Sequence, residues 1–102
     1  MNISITARKF KAHSTLKEYI EDEVKSLSKY NDDILSADII LSYHNMKDSM
    51  KNAEIVLQVP GQTLTATEES DDFTKSVGAA VAKLSRQLKK LKTKKLQERV
   101  ND

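Results

Sequence analysis

One apolar stripe near the C-terminus restricts the fold of this chain more than any other feature. At the 100° per residue of an α-helix, six apolar side chains fall within about 80° of arc. They are Phe73, Val77, Val81, Leu84, Leu88 and Leu91. A helix over residues 71–91 is roughly 31 Å long, whereas a seven-residue strand is roughly 23 Å long. We therefore expect this helix to cover a sheet and to extend past it.

Four segments alternate apolar and polar side chains and are predicted to be strands. They lie around residues 3–7, 37–43, 53–59 and 64–68. Pro60 and Gly61 separate the last two segments, and they favour a tight turn because proline fixes φ and glycine accepts a positive φ. The sequence therefore predicts a β-hairpin over residues 53–68.

A second amphipathic stretch lies between the first two strands. Thr15 and Glu18 have the spacing of a capping box, which predicts a helix over about residues 15–30. Its apolar face consists of Leu16, Tyr19, Ile20, Val24 and Leu27. The order β-α-β-β-β-α predicts an α+β fold, in which a right-handed β-α-β crossover and an antiparallel hairpin form a four-stranded mixed sheet with both helices packed on one face.

The long helix has recognisable ends. Ser70, Asp71 and Asp72 are its candidate N-caps, and Gly78 is an anomaly because interior glycine costs about 1 kcal/mol relative to alanine. Lys95 occupies the angle where the next core residue would belong. We therefore predict one domain over residues 1–93 and a basic, frayed tail over residues 94–102.

Composition excludes several classes of protein. The chain has 102 residues and no cysteine, so nothing in it indicates a disulfide or a cysteine metal site. No apolar run approaches the roughly 20 residues that a membrane span needs. A single soluble, cytoplasmic domain is the resulting prediction.

The charge is distributed unevenly along the chain. Residues 83–102 hold eight basic and two acidic residues, a net charge of +6, whereas the rest of the chain carries −4. Helical projection places four cations opposite the apolar stripe and two beyond its end: Lys83, Arg86, Lys89 and Lys90, then Lys92 and Lys95. Clustered cations release condensed counterions when they meet phosphates, so this pattern favours a polyanionic partner.

Other readings of the basic cluster are weaker. Basic residues suit the negative end of a helix dipole, but so many cations exceed that need because like charges at i,i+4 repel. A membrane-surface or calmodulin-binding helix would need its own apolar face. The sheet is expected to occupy that face, and the chain has no tryptophan to act as an anchor.

No catalytic or metal-binding constellation is visible. His13 and His44 lack neighbours at ligand spacing, and the carboxylate run at residues 21–23 fits a solvated helix face. We therefore predict no catalysis, no cofactor, no metal and no small-molecule substrate. Tyr19, Tyr43 and Phe73 are assigned to core faces, so any RNA would be bound through phosphates and shape.

Several segments resemble the ribosome hibernation-promoting factor and ribosome-associated inhibitor family. Residues 83–92, KLSRQLKKLK, match its K-L-x-R-Q-L-x-K-x-K run. Residues 66–68 and 72–73 are similar to its strand-end acid and its Asp-aromatic helix start. Residues 16–20, with Leu27 and Tyr30, resemble its first helix. The likeness covers nearly the whole chain, and the family shares the predicted order of elements.

The resemblance implies a specific role. Family members bind the small ribosomal subunit in the decoding channel, block translation sterically and protect idle ribosomes. By position, the residues implied to contact the ribosomal RNA backbone are Lys83, Arg86, Lys90, Lys92 and Lys94, and Lys89 and Lys95 join them on charge alone. A separate ribosome modulation factor is a further candidate partner. The chain ends at Asp102 without the long form's dimerisation domain, so it is expected to be a short form that does not pair ribosomes through its own tail.

The sequence is also compatible with two other classes of protein. A generic double-stranded RNA-binding module can also place a basic helix end on an A-form groove. An interaction domain could instead dock the same helix on an acidic protein. Co-migration with ribosomes would distinguish the hibernation factor from both alternatives.

Overall fold

The structure, a computed structural model, describes the backbone of residues 1–43 and 50–100 and the side chains of those residues as far as Leu91. Its elements are β1 (Asn2–Ala7), α1 (Ser14–Lys25), a 3₁₀ helix (Ser26–Lys29), β2 (Ser36–Tyr43), β3 (Lys51–Val59), β4 (Gln62–Ser70) and α2 (Phe73–Val100). The predicted order β-α-β-β-β-α is confirmed.

The four strands form one mixed sheet in the order β1-β2-β3-β4. β1 and β2 are parallel, whereas β3 is antiparallel to both of its neighbours. The register places Ile5 beside Ile39, Ile39 beside Ile55, and Ile55 beside Ala66. Because side chains alternate between the faces of a strand, this register collects the apolar residues on one face.

Both helices lie on the apolar face of the sheet. α2 packs on β3 and β4, and α1 packs beside α2. The opposite face is polar and carries exposed Asp38, half-buried Glu54 and the exposed threonines of β4. The predicted α+β architecture, with two helices on one face of a four-stranded sheet, is therefore confirmed.

The hairpin turn follows the residue types expected for it. Gly61 has a φ of +87°, a value that glycine adopts without steric cost. The strands on either side reach further than the sequence indicated, from Lys51 to Val59 and from Gln62 to Ser70.

The predicted capping box of α1 is wrong. The helix begins at Ser14, with His13 at the N-cap position and no side-chain hydrogen bond there. The first helical bond runs from the Lys17 N–H to the His13 carbonyl oxygen, at 3.1 Å. Thr15 consequently lies inside the first turn, where its hydroxyl cannot act as the cap. The apolar positions were correct because they depend on helical period and not on the starting residue.

The start of α2 selects one of the three candidate caps. An Asp72 carboxylate oxygen, Oδ1, accepts hydrogen bonds from the Thr74 backbone N–H and hydroxyl, each at 2.8 Å. These bonds lower the pKa of Asp72 because they favour its charged form. Because the carboxyl group has a lower pKa in the folded state, it stabilises the fold at pH values above the ordinary aspartate pKa. This contribution is lost as the pH falls through the lowered pKa.

The apolar stripe of α2 forms the middle of the core. Val77, Leu84 and Leu88 are buried, and Leu91 is half-buried at the end of the stripe. Ser76 is also buried although it is polar, and its hydroxyl donates to the Lys51 carbonyl oxygen at 2.7 Å. The α2 backbone is helical to Val100. The domain boundary at residue 93 and the frayed tail stay predictions.

Gly78 lies where α1 crosses close to α2. The Tyr19 hydroxyl donates to the Thr74 carbonyl oxygen at 3.2 Å, and a Cβ atom at position 78 would lie 3.4 Å from that hydroxyl. Burial and the nearby Glu23 carboxylate raise the pKa of Tyr19, so the hydroxyl keeps its proton. A methyl group at position 78 would therefore be in ordinary van der Waals contact with the Tyr19 hydroxyl and would fit.

We expect Gly78→Ala to raise the free energy of unfolding by up to about 1 kcal/mol, because alanine has the higher helix propensity. Thermal unfolding should show a Tm increase of a few degrees. The reciprocal change at the exposed neighbour, Ala79→Gly, should lower the Tm by a similar amount. A lower Tm for Gly78→Ala would mean that the Tyr19 contact outweighs the helix gain.

Candidate nucleic-acid interface

The exposed side of α2 carries four of the predicted cations. Lys83, Arg86, Lys89 and Lys90 are all exposed, and their neighbours Leu84 and Leu88 are buried on the opposite side. Residues three or four positions apart on a helix have Cβ atoms about 5–6 Å apart. The structure therefore places these four side chains on one continuous surface, which we call the α2 basic surface. Their role as RNA contacts stays a prediction.

Lys83 stands at the sheet side of this surface and has an acidic partner. Its Nζ lies 2.7 Å from Glu68 Oε1, with side-chain exposures of 48% and 28%. A half-exposed ion pair of this kind contributes at most about 1 kcal/mol to stability. The pair could not be predicted from local patterns because it joins β4 to α2, and its residues are fifteen positions apart in the chain.

Lys89 stands at the other side of the α2 basic surface. Its Nζ lies 5.1 Å from the centre of the Tyr30 ring, within the range of a cation–π contact. Tyr30 follows the 3₁₀ helix, so this contact joins the end of the α1 region to α2. The contact restricts the Lys89 side chain while its charge stays at the surface.

Arg86 and Lys90 occupy the outermost line of the helix, and both are exposed. The Arg86 Nε donates to the Ala82 carbonyl oxygen of its own helix at 3.4 Å, a bond that uses one of the five N–H donors of the guanidinium. No ion pair joins either residue to an acid within the part of the chain that the structure describes. Within residues 1–43 and 50–91, no salt bridge has to break before these two cations meet a phosphate.

Three further predicted RNA contacts follow these four cations in the sequence. The side chains of Lys92, Lys94 and Lys95 lie outside the described residues, and so does His44. His13 is exposed at the start of α1. Among the described residues, no group of three potential ligands could hold a metal ion, and no helix is long and apolar enough to cross a membrane.

Tyr43 lies on the predicted core face of β2, at the rim of the core. It alternates with buried Ala37, Ile39 and Leu41, and 44% of it is exposed at the end of the strand. Its ring meets those of Phe10 and Phe73 edge-on, with centroids 5.3 and 5.5 Å apart. β2 ends at this residue. Phe73 is buried and Tyr19 half-buried, as predicted.

The fold and this surface define a small α+β domain with a cationic helical face. Residues 3–96 match the family described as Sigma 54 modulation protein / S30EA ribosomal protein. The chain belongs to this family, which confirms the resemblance noted from its sequence. The family is not enzymatic, so the prediction of no catalysis is also confirmed.

Curated relatives show the same relationship. A ribosome hibernation promotion factor of Deinococcus radiodurans is 28% identical, over 93% of this chain and 51% of the relative. A ribosome hibernation promoting factor of Azotobacter vinelandii is 27% identical, over 95% of this chain and 88% of the relative. The chain thus spans about half of one relative and most of the other. These names support a ribosome-associated role in hibernation.

Solved structures agree with the fold. The N-terminal domain of Thermus thermophilus Protein Y superimposes with a TM-score of 0.80 and 28% identity, over 89% of this chain and 99% of that domain. A ribosomal subunit interface protein from Coxiella burnetii gives a TM-score of 0.81 and 29% identity, over 91% and 99% of the two chains.

Proposed function

We propose that this chain is a ribosome hibernation factor that binds the small ribosomal subunit in the decoding channel, where messenger and transfer RNA would otherwise lie. Binding there blocks translation and stabilises idle ribosomes in the cytoplasm. The α2 basic surface is the contact with ribosomal RNA. The observation that carries the proposal is the pair Arg86 and Lys90, two exposed cations on a helix whose other side is buried.

The chemistry of these side chains suits a phosphate backbone. Arg86 can engage a phosphate through two parallel hydrogen bonds, whereas Lys90 acts as a compact point charge. Both project from a helix that the buried Leu84 and Leu88 already hold in place, so binding costs little backbone conformational entropy. Contacts of this kind position a protein on RNA without reading its sequence.

Glu68 should limit the contribution of Lys83 to RNA binding. A phosphate that approaches Lys83 must share it with the Glu68 carboxylate, 2.7 Å away, and must tolerate a second negative charge beside it. We expect Glu68→Gln to tighten binding to purified small subunits about three- to tenfold at low salt, an effect that salt should weaken. The double variant Glu68→Gln with Lys83→Gln should lose this gain. Unchanged affinity in Glu68→Gln would show that Lys83 does not contact the RNA.

Sedimentation with purified ribosomal components tests the proposed function. We expect the protein to co-migrate with small subunits and not with large subunits, when both are supplied at the same total concentration of RNA phosphate. A generic double-stranded RNA-binding module would bind both subunits and a plain RNA duplex alike, and a domain for an acidic protein would bind none of them. Either of those outcomes would overturn the proposal.

A further inference from the structure

A second group of cations lies at the opposite end of the molecule, in the loop between β1 and α1. Arg8, Lys9 and Lys11 are all exposed. The first seventeen residues of the chain contain four basic residues and no acidic one, although the rest of the body is acidic. The charge of this segment is therefore a local departure from its surroundings.

The loop is held in place by its backbone and by Phe10. The Arg8 N–H donates to the Leu41 carbonyl oxygen at 2.9 Å, which continues the ladder between β1 and β2. Lys9 has a φ of +64°, in the left-handed region that few side-chain-bearing residues adopt. The Phe10 ring stacks on Phe73, with centroids 5.1 Å apart and planes within 13°. These contacts hold the backbone from which the three cations project.

Two acids precede Phe73, the residue that Phe10 contacts, and both have partners of their own. Asp72 accepts two hydrogen bonds from Thr74, and Asp71 pairs with Lys75 at 3.3 Å. No ion pair joins the cations of the loop to an acid among residues 1–43 and 50–91. The loop cations therefore keep their charge available to an outside partner.

From this arrangement we infer that Arg8, Lys9 and Lys11 form a second contact with RNA phosphates. Phe10 touches the first residue of α2, and the helix rises about 25 Å from Phe73 to Lys90. The protein would thus hold the RNA at two places, the loop and the α2 basic surface, about 25 Å apart along α2. This inference rests on the proposed function, because it supposes a partner with phosphates at both places.

Two charge-matched variants test the second contact. The loop variant, Arg8→Gln with Lys11→Gln, removes two positive charges and leaves the strained Lys9 in place. The control variant, Lys75→Glu, lowers the net charge by the same amount on an exposed turn of α2. Affinity for purified small subunits should fall at least tenfold in the loop variant and less than threefold in Lys75→Glu. The log–log salt slope of the loop variant should lose about 1.4–1.8 units, at roughly 0.7–0.9 per contact.

Combination with Arg86→Gln and Lys90→Gln separates this inference from the proposed function. Sites this far apart should act additively, so the fourfold variant should lose the sum of the two slope changes. If the α2 variant weakens binding and the loop variant does not, the second contact is wrong and the proposed function stands. If neither variant weakens binding, the proposed function fails as well. Equal weakening in the loop variant and in Lys75→Glu would also overturn the second contact.

Discussion

Replacement of Leu84 by alanine should lower the free energy of unfolding by about 2–5 kcal/mol, the largest effect on stability that we expect. Leu84 has no exposed surface and lies in the middle of the α2 stripe. Its removal leaves a cavity that the surrounding side chains fill only in part. Urea denaturation should show a lower midpoint with an unchanged m-value.

Leu35 provides the matched control, because the same substitution there meets a different environment. Leu35 is 58% exposed just before β2, so Leu35→Ala should change the free energy of unfolding by less than about 0.5 kcal/mol. Equal losses in the two variants would mean that α2 does not pack on the sheet as the structure shows.

Removal of the two outermost cations should have the largest effect on function. We expect Arg86→Gln with Lys90→Gln to weaken binding to small subunits by about 100-fold or more, because each charge-assisted contact is worth roughly 1.5–3 kcal/mol. A cell-free translation assay should then continue at a protein concentration that stops it with the unaltered chain. The Tm should change little, since both side chains are exposed.

Lys75→Glu is the control for net charge in this assay as well. It changes the charge of the protein by the same amount and lies on the same helix, about 16 Å from Arg86 at 1.5 Å per residue. This variant should still inhibit translation. Equal loss of inhibition in the two variants would assign the effect to overall charge and not to the α2 basic surface.

The fold could be predicted from the sequence because it depends on the regular spacing of the apolar residues. Alternation in β2 and β3 and the stripe from Phe73 to Leu91 each identify a buried face without knowledge of the partner element. The start of α1 could not be predicted in the same way. Thr15 and Glu18 have capping-box spacing, but the backbone enters the helix one residue earlier, at Ser14.

The charge of the candidate site could be predicted from the sequence, but the residues that its cations contact could not. Helical projection places Arg86 and Lys90 outward from sequence alone. The partners of Lys83 and Lys89 are Glu68 and Tyr30, which approach α2 only through the tertiary fold. Gly78 is a similar case, since only the tertiary fold places it beside the Tyr19 hydroxyl of α1. Contacts between distant segments leave no local pattern in a sequence.

The salt dependence of binding to purified small subunits tests the central claim most directly. The unaltered chain should bind with a steep log–log slope, and Arg86→Gln with Lys90→Gln should reduce its magnitude by about 1.4–1.8, the release expected for two phosphate contacts. Lys75→Glu should leave the slope unchanged. Equal slopes for the unaltered chain and the double variant would contradict the account, because the α2 basic surface would then not meet the RNA.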